Sequence, residues 1–305
     1  MDMSVDFAGL KLKNPILTAS GTFGFGLEFK RFGELEKLGG IIVKGLSIKP
    51  REGNPMPRLA ETPCGMLNAI GIQNPGVEAF LKSKLPKLPV KDLPVLANLY
   101  ATDAQEFGEL AGMLAEEEGV AALEVNVSCP NVKEGGIAFG QDPAQITKVA
   151  KAVKKNSGKK PVIIKLSPNV TDITVCAKAA EDGGADGLSL INTLSGMAVD
   201  IKSRKPRLAN VIGGLSGPAV KPVALRCVHQ VVNAVDLPVM GLGGITTAED
   251  AAEFLLVGAK AVQIGTANFI SPDTAFKIVE ELPGVLKAAG AKSLEEFTGS
   301  LILPE

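Results

Sequence analysis

The chain has 305 residues, 46% of them hydrophobic and 21% charged, a composition that supports a large packed core and excludes a chain disordered over most of its length. Its 32 Lys and Arg against 33 Asp and Glu leave a net charge of -1, which excludes the broad basic field that nucleic acid or an anionic membrane attracts. Residues 1–15 lack a basic segment followed by an apolar one, and nowhere do about 18 apolar residues run uninterrupted, so a cytoplasmic protein without a membrane segment is expected.

In chain order, strand-length apolar runs alternate with stretches of helical periodicity. Ile16–Ala19 precedes a predicted helix over Leu27–Lys37, Ile41–Lys44 one over Gly76–Leu85, Val95–Asn98 one over Ala104–Glu118, and Leu123–Val127 one over Pro143–Asn156. The second half repeats the pattern: Val162–Leu166 with Asp172–Asp182, Gly187–Ile191 with Pro218–Val235, Val239–Leu242 with Ala248–Val257, and Ala261–Gly265 with Pro272–Ala288. Asp103, Asp142 and Thr171 stand where N-caps are expected. Strand and helix alternating in this way predict an α/β protein with a parallel sheet. Eight repeats predict a closed (β/α)8 TIM barrel, a fold that typically takes about 250 residues, rather than an open doubly wound sheet. No low-complexity linker interrupts the chain, so residues 1–305 are read as a single domain. Gly45–Asn74 and Asn192–Gly217 exceed ordinary βα loops and are expected to be lids or substrate walls on the catalytic face, with Pro-rich Leu85–Pro94 at the opposite end.

In such a barrel, polar residues at the C-terminal ends of the strands share one mouth. Here those ends carry Ser20, Lys44-Gly45, Asn98, Asn126, Lys165, Asn192-Thr193, Gly243-Gly244 and Gly265-Thr266. One Asn or Thr at such a place is an ordinary turn or cap residue. A lysine following an apolar run needs an anion or acceptors, so Lys44 and Lys165 imply a bound anion or electron-rich ring. The glycine turns after strands seven and eight stand where barrels commonly hold phosphate, with Gly214-Leu215-Ser216-Gly217 as a further N–H source. No Gly-x-Gly-x-x-Gly follows the first strand, so a mononucleotide such as FMN fits better than a dinucleotide.

Candidates for proton transfer are few. His229, the single histidine, falls inside a predicted helix, and carboxylates are scarce at the strand mouths, with Glu124 a buried exception. Cys64, Cys129, Cys176 and Cys227 lie too far apart in sequence for a local metal or iron–sulfur framework, and no metal site is expected. Cys176 and Cys227 sit in helical patterns as buried thiols. Cys129 and the lysines remain as the reactive candidates.

The segment Asn126-Val-Ser-Cys129-Pro-Asn-Val resembles the strand-four motif of class 1 dihydroorotate dehydrogenases, in which the cysteine is the catalytic base. Asn68-Ala-Ile-Gly-Ile-Gln-Asn-Pro75 is similar to the family's substrate loop, and Gly241-Leu-Gly-Gly244 and Gln263-Ile-Gly-Thr266 to its phosphate turns, so the resemblance runs from Asn14 to Asn268. It implies FMN contacts at Ser20, Lys44, Gly45, Asn98, Asn126, Lys165, Ile191, Gly217, Gly243, Gly244, Gly265 and Thr266. It implies substrate contacts at Lys44, Asn68, Ala69, Ile70, Gly71, Ile72, Asn126, Asn192 and Thr193. Lys133-Glu-Gly-Gly136 and the Asn-Pro of the substrate loop resemble the NAD-linked subclass 1B more than the fumarate-using 1A. Members of 1B work with a second subunit carrying FAD and a 2Fe-2S cluster, as a heterotetramer around a homodimeric core.

The implied reaction oxidises (S)-dihydroorotate to orotate in de novo pyrimidine (UMP) biosynthesis, with a proton leaving C5 to Cys129 and a hydride leaving C6 to FMN N5. A thiol suits the task because its thiolate fraction rises with pH and with neighbouring cations. Lys44 then pairs the substrate carboxylate, the asparagines match the pyrimidine amide edges, and Lys165 offers positive charge near flavin N1. Competing expectations are a fumarate-linked 1A enzyme, a dihydropyrimidine dehydrogenase, a Schiff-base aldolase on a phosphate-binding barrel, and a catalytically silent binding subunit.

Overall fold

The structure is a computed structural model and describes residues 1–128 and 139–304. Eight parallel strands close into a barrel: Ile16–Thr18, Gly40–Ile42, Val95–Leu99, Ala122–Asn126, Val162–Lys165, Gly187–Leu190, Val239–Leu242 and Ala261–Ile264, with the last pairing back onto the first. All eight coincide with the apolar runs read from the sequence, within a residue or two at each end.

The barrel interior is layered. Leu17, Ile42, Leu96, Ala122, Ile163, Met240 and Ala261 form an apolar cluster with Phe7 and Leu12, which come from an N-terminal hairpin of Val5–Phe7 and Leu10–Leu12. Strand side chains alternate between faces, so the residues two positions further along point into the same interior, one layer nearer the mouth. From Leu96, Ala122, Ile163 and Ala261 that step leads to Asn98, Glu124, Lys165 and Gln263, all buried. In these four strands the interior therefore changes from apolar to polar in one layer, the floor of the mouth, while Leu17 and Met240 lead to the apolar Ala19 and Leu242.

Several of the predicted helices differ from the structure, among them Gly76–Leu85, which is helical over Val77–Ser83, and Ala104–Glu118, which ends at Ala115. Leu27–Lys37 is not a helix but two short 3-10 turns, Leu27–Phe29 and Leu35–Lys37. Gly33 interrupts it, because a Cβ there would meet the Phe276 ring at 2.6 Å, and glycine inside a helix is unfavourable in any case. Thr171 is not a cap: Asp172 takes that place, its Oδ1 accepting from the Thr174 N–H at 2.9 Å as short acidic N-caps do. Asp103 and Asp142 cap as expected. The sixth helix runs Lys221–Val232 after a 3-10 turn at Pro218–Val220, with Pro222 in the first turn where its missing N–H costs nothing. The eighth runs Thr274–Ala288 behind a short helix at Ala267–Ile270.

The two long insertions do not remain loops. They pair across the mouth as a four-stranded antiparallel sheet, ordered Leu194–Met197, Ile212–Ser216, Gly65–Asn68 and Leu59–Thr62. Gly214 opposes Asn68, and Ala60, Leu67 and Leu208 form a small core beneath. Among the described residues no helix is long and apolar enough to cross a membrane.

Candidate active site at the barrel mouth

Every residue expected to hold the mononucleotide lines one cavity of about 350 Å³ between the strand ends and the mouth sheet. A second cavity of about 220 Å³ adjoins it and shares Asn68, Ile70, Gly71, Ile72, Asn126, Asn192 and Thr193, with Ala69 on the second alone.

The floor is organised by Glu124, which is fully buried. Its Oε1 accepts from Ser189 Oγ at 2.8 Å and Gln263 Nε2 at 2.7 Å, and its Oε2 accepts from Asn98 Nδ2 at 2.6 Å and faces the Lys165 ammonium at 3.6 Å. Three hydrogen-bond donors and one nearby cation around the carboxylate offset the cost of burying its charge.

Lys44 stands differently. The backbone N–H of Lys44 donates to Gly24 O at 2.9 Å, which fixes the strand end, but no carboxylate among the described residues pairs with its ammonium. Burial pushes its pKa below the ordinary lysine value, and the positive charge of Arg58 pushes the same way. A half-buried cation beside a second cation is a site in want of an anion.

The asparagines form a linked rim. Asn192 Nδ2 donates to Asn126 Oδ1 at 3.2 Å, Thr193 N–H to Asn192 Oδ1 at 2.8 Å, and Asn169 Nδ2 to Thr193 O at 2.9 Å. The loop after Asn68 is pinned by Asn54, whose Nδ2 donates to Ala69 O and whose N–H donates to Ile70 O, both at 2.9 Å. Asn74 Nδ2 donates to Ile72 O at 2.8 Å. Ser128 donates from Oγ to Lys165 O at 3.1 Å. Cys129 and Lys133-Glu-Gly-Gly136 lie outside the described residues.

A family model described as dihydroorotate dehydrogenase matches residues 2–286 of the chain. The chain belongs to the dihydroorotate dehydrogenase family. It is 85% identical over 305 residues, all of both chains, to the dihydroorotate dehydrogenase B (NAD(+)) catalytic subunit of Maridesulfovibrio salexigens. Proteins of the same description from Solidesulfovibrio magneticus and Pelobacter propionicus are 67% and 56% identical, over 99% and 98% of this chain and 98% of each relative.

The cavity fits the flavin mononucleotide expected of a dihydroorotate dehydrogenase. At one end Gly217, Gly243 and Gly244, with φ of 98°, 130° and 78°, meet Gly265 and Thr266 and leave backbone where side chains would stand. A Cβ on Gly244 would lie 2.9 Å from both Gly217 O and Lys221 N. Such bare turns suit a phosphate. On the floor Gln263 Oε1 is buried with no hydrogen-bond partner among the described residues, an acceptor awaiting the N–H of a bound ring. Lys165 lines the same floor as a cation. Among the described residues no cluster of three His, Cys, Asp or Glu gathers that could hold a metal.

Ser189 and Arg58 carry no signal of a role in the sequence, Gln263 enters there only within the Gln263-Ile-Gly-Thr266 turn, and Glu124 only as a buried carboxylate. The signal for Gln263 and Glu124 was present as polar residues two steps beyond interior apolar ones. Arg58 had no such signal: it lines the cavity from the start of the Leu59–Thr62 and Gly65–Asn68 hairpin, held by Gln73 Oε1 and the carbonyls of Glu52 and Asn54. His229 is half-buried on its helix and hydrogen-bonds Asn233, while burial raises the Cys176 and Cys227 thiols above their ordinary range.

Proposed function

We propose that this chain is the FMN-bearing catalytic subunit of an NAD-linked dihydroorotate dehydrogenase, oxidising (S)-dihydroorotate to orotate in pyrimidine biosynthesis. One observation carries the reading: Lys44, whose ammonium pairs with no carboxylate among the described residues, lines the larger cavity, whose wall of Asn68, Asn126 and Asn192 is shared with the smaller one. A carboxylate-bearing pyrimidine and a flavin placed in adjoining spaces would use that wall jointly.

In this reading the turns at Gly217, Gly243-Gly244 and Gly265-Thr266 hold the phosphate. Ser20, Gly45, Asn98 and Ile191 enclose the ring, and Lys165 places positive charge beside it. FMN supplies the acceptor for the hydride leaving C6. Lys44 pairs the substrate carboxylate, and Asn68, Asn126, Asn192 and Thr193 match donors and acceptors along the amide edges, with Ala69, Ile70, Gly71 and Ile72 as the loop over them. Cys129 follows directly on Asn126-Val127-Ser128 and takes the proton from C5. The names of the relatives, as catalytic subunits acting with NAD(+), support a partner that carries electrons onward. We assign that partner FAD and a 2Fe-2S cluster, in a cytoplasmic heterotetramer around a homodimer in which residues 1–305 are a single FMN-binding barrel domain. Family membership sets aside the Schiff-base aldolase.

The test is anaerobic mixing of purified protein with dihydroorotate while the flavin band is followed. Bleaching is expected, with colour returning on NAD addition only when the partner is present. A colourless protein, or a flavin that dihydroorotate never bleaches, overturns the reading, and recovery with fumarate alone replaces the NAD linkage.

A further inference from the structure

Glu124 does more than neutralise a lysine. The layer directly below it is apolar, so the barrel closes without buried charge, and a carboxylate at full burial in the next layer asks for a use. We propose that Glu124 is a positioning residue that orients the floor of the cavity and thereby sets the reduction potential of the flavin, an inference that rests on the FMN reading above.

An ionised carboxylate only accepts hydrogen bonds. Because Asn98 Nδ2 and Gln263 Nε2 both turn down to Glu124, at 2.6 and 2.7 Å, each amide must present its oxygen elsewhere. Gln263 Oε1 is the buried atom without a partner among the described residues. Asn98 Oδ1 lies 3.0 Å from the point where a Cβ on Gly45 would stand, and Gly45 lines the cavity. Glu124 therefore fixes which way both amides face: Asn98 Oδ1 is held beside the Gly45 wall of the cavity, and Gln263 Oε1 is left as a buried acceptor in the floor. Its distance of 3.6 Å from the Lys165 ammonium is too long for a hydrogen bond, so it compensates that charge while leaving the ammonium hydrogens for the cavity.

A Gln at position 124 has one acceptor and one donor end. Whichever way it turns, its NH2 faces one of the two donor sets, either Asn98 with Lys165 or Gln263 with Ser189. The affected groups must turn or retreat, and Lys165 loses its counter-charge. The cavity becomes more positive, which favours the electron-rich reduced ring over the oxidised one. Ser189, which does not line the cavity, gives the opposite perturbation. Without its hydroxyl the carboxylate is freer to act on Lys165, and the reduced ring loses support.

The experiment measures the midpoint potential of bound FMN by dye equilibration, with FMN dissociation constants in both redox states, for wild type, Glu124→Gln, Glu124→Asp and Ser189→Ala. For Glu124→Gln we expect the ratio of oxidised to reduced dissociation constants to rise about tenfold, a positive shift of about 30 mV for a two-electron couple. Glu124→Asp, which keeps the charge, should return toward wild type, and Ser189→Ala should shift the potential the other way. A Glu124→Gln protein that retains FMN at the wild-type potential overturns the inference. If that variant fails to fold or to hold flavin, an unmoved potential in Ser189→Ala overturns it instead. A wild-type chain that binds no FMN refutes the function itself, and is thereby distinguished from a failure of the role given to Glu124.

Discussion

Lys44→Met separates binding from folding. The ammonium of Lys44 is largely desolvated and has no carboxylate partner among the described residues, so its charge is a cost to the unliganded protein that only an incoming anion offsets. Truncating one member of a desolvated, hydrogen-bonded charge pair costs about 2–5 kcal/mol. Lys44 is half-buried rather than sealed, which places it in the lower part of that range, about 2–3 kcal/mol, or roughly 30- to 150-fold in orotate affinity. Thermal stability without orotate should be unchanged or higher. The sign with pH follows from the lowered pKa. In the folded protein the proton leaves below the ordinary lysine value of 10.5, so orotate affinity is full below that lowered pKa and falls as pH rises through it. The stability penalty of the buried ammonium runs oppositely, being full below that lowered pKa and relieved as pH rises from it to the ordinary value of 10.5. Calorimetric titration of orotate in buffers of different ionisation enthalpy should show proton uptake on binding at alkaline pH, absent in Lys44→Met. Unchanged orotate affinity, or affinity lost together with a large fall in melting temperature, refutes the carboxylate role.

Cys129→Ala should bind orotate as before while anaerobic flavin reduction slows by about 10²–10⁴, the usual contribution of a positioned base, and stopped-flow traces near the wild-type rate would remove Cys129 from that role. Gly244→Ala places a Cβ 2.9 Å from Lys221 N and Gly217 O at a φ of 78°. It should cost about 1–3 kcal/mol of stability and weaken FMN retention, read from the fluorescence of released flavin; full retention argues against a phosphate cradle there. Phe7→Ala empties the plug below the barrel floor and should cost about 3–5 kcal/mol without moving the flavin potential, so a denaturation midpoint that barely shifts would deny the hairpin a structural part.

How much was legible follows from how local each signal is. The barrel strands are short apolar runs bounded by turn residues, a signal contained within five or six positions, and all eight were readable. The strand-end polar residues were readable for the same reason, since in a closed parallel barrel the end of a run fixes which rim it joins. The mouth sheet was not, because its pairing of Asn68 with Gly214 joins insertions more than a hundred residues apart and each strand alone is short and half-exposed. The lost helix at Leu27–Lys37 shows tertiary packing overriding periodicity, where Phe276 needs the space that only Gly33 leaves.

The alternation of two along a strand links fold to chemistry more closely than the list of strand ends did. Ala122, Glu124 and Asn126 occupy one interior row, as do Ile163 with Lys165 and Leu96 with Asn98, so each row passes from apolar plug to buried polar floor, and the longest reaches the open wall. The registers that bring Asn98 beside Glu124 and Asn126 beside Lys165 are the barrel's own, held by main-chain bonds and by the apolar layer below. A one-residue slip would turn each of these rows outward. The stability of the barrel and the aim of its polar floor are therefore one property. Substitutions in the apolar layer should lower stability first and disturb the floor only once the register itself gives way.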